Sequence, residues 1–166
     1  MNKILYVLSI VLSSCCQINA NFFSSVNTNS NDILVSEKCY SEYYKNKPED
    51  IGQFLTIFFK KNSVSSVEVQ SVIKDLILAD YFSEKLNKHN RQSSGYYTKA
   101  INTAEKLNRD DLVLWTNINY AFYLYIYRHL RESFPFFMTS IEKAGSLSAK
   151  QTINPTDTYK KLGYFL

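Results

Sequence analysis

Glycine and proline are scarce in this chain of 166 residues, at four and three respectively. Four scattered glycines cannot build a glycine-rich phosphate loop, and so few breakers favour long helices. Histidine is nearly absent. His89 and His129 are the two present, with no HExxH pattern and no cysteine partner at metal-ligand spacing, so no metal site is expected. An excess of one charge is missing as well: 19 basic and 15 acidic residues are spread along the chain to a net +4. The small basic stretch Lys85, Lys88 and Arg91 reads as a solvated helix face, and no nucleic-acid partner is expected. No apolar run reaches the roughly 20 residues that span a bilayer.

What is abundant is aromatic: 13 tyrosines and 11 phenylalanines against one tryptophan, in a composition that is 45% apolar and 20% charged. That is ordinary for a globular domain with a real core. The amino terminus differs from the rest. Lys3, the apolar run Ile4 to Leu12 and a polar stretch through Gln17 follow the charged, apolar, polar order of a secretory signal peptide. Residues 1–20 are expected to leave by cleavage after Ala20. The alternative is lipidation at Cys15, because "LSSC" resembles the lipobox of bacterial lipoproteins. Either route places the protein outside the cytoplasm, in the periplasm or cell envelope, and membrane attachment is expected only with lipidation or an uncleaved signal. Cleavage after Ala20 leaves Cys39 alone, so no intramolecular disulfide can form. Cys39 is expected to be a small buried apolar residue; a thiol nucleophile there has no local support.

Residues 21–32, "NFFSSVNTNSND", read as a disordered spacer. Helical periodicity follows. Residues 33–64 hold "ILVSEKCYSEYYKN" and, after Pro48, Glu49 and Asp50, the segment "IGQFLTIFFKK", together expected to form an N-terminal helical hairpin. Ser65 and Glu68 stand in capping-box relation and open a helix to about Leu86. "HNRQSSG" is expected to be a link. Asp110 and Asp111 open a helix running to about Leu130, Ser133 and Pro135 start another, and Asn154 to Asp157 begin one more.

Within this run two apolar skeletons recur. Tyr97, Ala100, Ile101, Ala104 and Leu107 are repeated in size class 40 residues later by Phe137, Ser140, Ile141, Ala144 and Leu147. Leu78-Ala79, Tyr120-Ala121 and Leu162-Gly163 recur every 42 residues, each followed three positions on by Phe82, Leu124 and Leu166. Two helices per unit and a period between 20 and 50 point to an all-α array of stacked antiparallel hairpins, an α-solenoid. The small residues let helices approach closely while the aromatics fill the space beside them.

These positions carry a resemblance. Tyr120, Ala121, Leu124, Ser133, Phe137 and Ser140, preceded by Leu78, Ala79, Phe82, Ser93, Tyr97 and Ala100, are similar to the tetratricopeptide repeat. The expected units are 65–107, 108–148 and a partial one over 155–166, longer than the usual repeat. The resemblance implies a concave groove that takes a protein or peptide partner, lined here by Trp115, Ile118, Phe122 and Tyr125. It implies no cofactor and no catalytic residue, and the chain is expected not to be an enzyme. Positions that hold a terminal carboxylate in some members are Leu76, Asp80, Ile118 and Phe122 here, which do not suit that task. The apolar end "LGYFL" suggests self-association. Exported repeat regions of this kind also stand ahead of the signalling domains of bacterial sensor kinases and regulators, so a sensory input region is the alternative role.

Overall fold

The structure, a computed structural model, describes residues 31–64 and 66–149. The signal segment with Cys15, most of the spacer, and the partial third unit with Leu162 and Gly163 lie outside the described residues. Within them the chain is all-helical: α1 Asn31–Asn46, α2 Ile51–Lys61, α3 Val67–Leu86, α4 Arg91–Lys106, α5 Asp110–Ile126 and α6 Leu130–Ala149.

Side-chain caps begin three of the helices. Asp50, Ser66 and Asn90 accept hydrogen bonds from the backbone N–H groups of Gln53, Val69 and Ser93 at 2.9, 3.2 and 2.8 Å. Each satisfies one of the donors that a helix start leaves free. The cap of α3 is therefore Ser66, one residue later than the spacing with Glu68 suggested. Asn90 moves the start of α4 back to Arg91, so "RQSSG" is helix and not link. Asn31 and Asp32, the last residues assigned to the spacer, form the first turn of α1.

Among the described residues no helix exceeds 20 residues, despite the scarcity of breakers. Each of the five links contains one non-glycine residue with a left-handed backbone: Lys47, Ser63, Asn87, Asn108 and Arg128, at φ of 43, 52, 47, 52 and 64°. After α2, α4 and α5 the chain closes a paired C-terminal motif. For α5 the N–H of His129 reaches the carbonyl of Leu124 at 2.8 Å and that of Arg128 reaches Tyr125 at 3.0 Å. This ends α5 at Ile126, short of Leu130, and lets α6 begin at Leu130. Pro135 is consequently inside α6, where its missing N–H leaves one turn without its hydrogen bond.

The closest helix pairs are α5 with α6 and α3 with α4, and α4 joins the two pairs by packing on α5. Ala79, Ala100, Ala104, Ala121, Ala144, Ser93 and Ser140 are all fully buried at these seams. Tyr97, Tyr120, Leu124 and Phe137 are buried beside them, whereas Leu78 and Phe82 are half-buried at the edge. Ser140 returns its hydroxyl to the carbonyl of Phe136 at 2.8 Å, which satisfies it within its own helix. The first two helices meet through side chains: Lys38 Nζ donates to Asn62 Oδ1 at 2.6 Å, Lys61 pairs with Glu42 at 3.4 Å, and the rings of Tyr43 and Phe54 lie 6.4 Å apart. The backbone of α1 lies nearest α3 and α5, and that of α2 nearest α3.

Ala121→Leu forces an isobutyl group into a fully closed seam, and an overpacking cost of about 1–3 kcal/mol is expected in urea denaturation followed by circular dichroism. An unchanged midpoint would show that the seam has room to spare.

Candidate functional site

The four residues expected to line an open groove divide into two kinds. Trp115 and Ile118 are 1% and 7% exposed. α1 covers Trp115: its indole Nε1–H donates to Ser36 Oγ at 2.9 Å, and the ring meets Tyr40 edge-on with centroids 6.1 Å apart. A groove at this half of α5 is thus filled by the chain's own first helix. Phe122 is half-buried against Phe137, with centroids 5.6 Å apart, while Tyr125 is 47% exposed. The solvent-facing part of the expected face is its C-terminal end.

α1 is held on α3 by a cluster of tyrosines and acids. Asp80 of α3 accepts the hydroxyl of Tyr44 from α1 at 2.7 Å and that of Tyr97 from α4. One turn on, Glu84 accepts from Tyr43 at 2.8 Å and pairs with Lys47, whose ammonium also lies 4.4 Å from the centre of the Tyr44 ring. Burial pushes the Asp80 carboxyl up to about 6, against the opposing pull of the two hydroxyls. Burial likewise lifts Tyr44 and Tyr97 well above the usual phenol range, so both remain neutral donors. This cluster was not legible as a unit, since its members come from three helices; the tyrosine excess was its one sequence signal. From it a ladder of rings continues through Tyr97, Tyr120 and Tyr123 to Tyr127, each step near 5–6 Å. Tyr123 accepts the N–H of Asn90 and Tyr127 accepts the hydroxyl of Ser83, both at 2.8 Å.

Exposed apolar side chains gather elsewhere. Of seven large ones exposed among the described residues, four fall in the last helix pair: Tyr125, Leu130, Phe134 and Met138. The last three recur every four residues along α6, at 57, 57 and 47% exposure. Ser133, Phe137, Ser140, Ala144 and Leu147 form the buried face of the same helix. The exposed stripe therefore extends the apolar surface of α6 sideways, past what its neighbours cover.

Chemistry-bearing groups outside these surfaces are few. Cys39 is fully buried and burial pushes its thiol far up, which keeps it protonated and out of reach as a nucleophile. The two histidines, which the sequence offers as unrelated singletons, meet: their rings lie 4.0 Å apart, and Glu132 is beside His129. His89 is pushed down by burial and by its proximity to His129. Sequence reasoning set them aside because they fall on different helices or links, with no HExxH pattern and no cysteine partner; in the fold His89 lies in the link between α3 and α4 and His129 in the link between α5 and α6. No helix among the described residues is long and apolar enough to cross a membrane.

Two outcomes follow from the burial pattern. Trp115→Ala should destabilise the fold by about 3–5 kcal/mol in chemical denaturation, while Tyr125→Ala should change it by no more than about 0.5 kcal/mol. For Asp80, a folded-state value above that of the unfolded chain means the native state holds the extra proton. Stability from this group is full at about pH 4 and is lost as pH rises through 6, by up to about 3 kcal/mol. The stability of Asp80→Asn relative to the unsubstituted chain should accordingly rise between pH 4.5 and 7; a flat difference would place the carboxyl at its ordinary value.

No family model, curated protein or solved structure matches this chain, and the chemistry of its surfaces has to be read from its own residues.

Proposed function

We propose that this protein is a non-enzymatic, exported helical-repeat scaffold that binds a protein or peptide partner through the apolar stripe of its last described helix pair. The observation that carries the reading is the concentration of exposed large apolar groups at Tyr125, Leu130, Phe134 and Met138. Surface apolar residues are ordinarily scattered singly, and a contiguous set marks a place of contact. The 40- and 42-residue recurrences support a solenoid arrangement of the tetratricopeptide kind, in which each helix pair offers a face to the next element. In that arrangement α3 and α5 would line the inner surface, and α1 lies against both of them. The partner site is accordingly assigned to the flank of α6 and to Tyr125, not to Trp115 and Ile118.

The geometry suits an amphipathic segment whose apolar residues repeat every three or four positions, laid along α6 so that its side chains interleave with Leu130, Phe134 and Met138. Absence of an accessible nucleophile at Cys39 supports a binding role over a hydrolytic one.

Peptide-display selection against the full chain tests this. Selected peptides should carry apolar residues at helical spacing, and Phe134→Glu with Met138→Glu should weaken their binding by at least about tenfold while leaving the melting temperature nearly unchanged. Peptides that bind the doubly substituted chain equally well would exclude the stripe as the site.

A further inference from the structure

We infer that His89, His129 and Glu132 form a binding site for one divalent transition-metal ion of zinc-like chemistry, joining the link between α3 and α4 to the start of α6. One donor atom from each residue can be chosen so that all three lie within 4.8 Å of one another. The imidazoles approach to 4.0 Å between centroids with 33° between their planes, and His129 Nδ1 is 3.1 Å from Glu132 Oε1. Nδ1 of His89 is buried and has no hydrogen-bond partner among the described residues. A nitrogen so placed costs free energy unless something supplies a positive partner, and a cation held jointly with His129 would do so.

The donor set fits the ion. Two imidazoles and one carboxylate are a recurrent three-ligand set for zinc, with the fourth position left to water. Ligands about 2.1 Å from a tetrahedral ion stand about 3.4 Å apart, so the three donors must draw inward. Glu132, 62% exposed, and His129, 33% exposed, have the freedom to do this. Their exposure also leaves the ion a way in. The backbone already places the group: the closing bonds after α5 hold His129, and Asn90, the neighbour of His89, is fixed by Tyr123. The nearest charges along the chain are Lys88 and Arg128, each adjacent to one histidine, and they oppose a cation. Glu132 is the charge that offsets them, which makes it the residue whose loss should tell most.

The test uses the full, untagged chain with Co(II) and Zn(II) as chloride salts. One equivalent of Co(II) should develop visible ligand-field absorption that Zn(II) displaces, and Zn(II) should raise the melting temperature in proportion to the logarithm of its concentration. Glu132→Gln and His129→Ala should each weaken binding by at least about tenfold, with metal-free melting temperatures close to that of the unsubstituted chain. Cys15→Ser with Cys16→Ser should leave binding intact. Binding that survives His89→Ala combined with His129→Ala, binding lost with the two cysteines, or a stability response to inorganic phosphate with none to Zn(II) would each overturn the assignment.

Discussion

The seat of α1 across α3 and α5 is the contact on which the rest of this fold depends. α1 carries Glu37, Lys38, Ser41, Glu42 and Lys45 along its length and adds Cys39, Tyr40 and Tyr43 to the core. It is also fixed by polar anchors at separate points: Ser36 receives the Trp115 indole, Tyr44 reaches Asp80, and Tyr43 reaches Glu84. Asp32 adds a bond from Arg109, whose guanidinium also grips Asp111 in bidentate fashion at 2.8 and 2.7 Å. Bonds to charged or buried partners are the stronger kind, and removing one member of such a pair strands the other. The tyrosines serve this design well. Each brings a large apolar ring to the interior and a hydroxyl that finds its acceptor at the boundary.

That seat also explains where a partner can and cannot lie. Trp115 is core because a segment of the same chain, α1, lies against it. The exposed large apolar side chains gather instead on α6, at Leu130, Phe134 and Met138. The two histidines belong to the same logic. The link between α3 and α4 and the link between α5 and α6 lie together, so residues 40 positions apart in sequence become neighbours in space.

Helix content and the packing seams were legible because a small residue in a close helix contact imposes its spacing directly on the sequence. Ala79, Ala100 and Ala121 could be named from periodicity, and each is fully enclosed. The path of α1 was not legible. Its anchors are single polar pairs separated by 36 to 79 residues, and no periodicity marks a hydrogen bond between distant positions. The assignment of Trp115 to a groove failed for that reason: a helix face reads as apolar whether a partner or the chain itself covers it. The meeting of His89 and His129 was hidden in the same way.

The left-handed residues that close each link have a consequence for how this chain could be improved. Holding lysine, serine or arginine at such an angle costs of the order of 1 kcal/mol per site relative to glycine, with asparagine the mildest case. Five links carry this penalty and none of them spends a glycine on it. The tension sits in the connections, outside the packed interior. Stability is therefore open to engineering at Arg128, an exposed link residue, without disturbing a single enclosed contact.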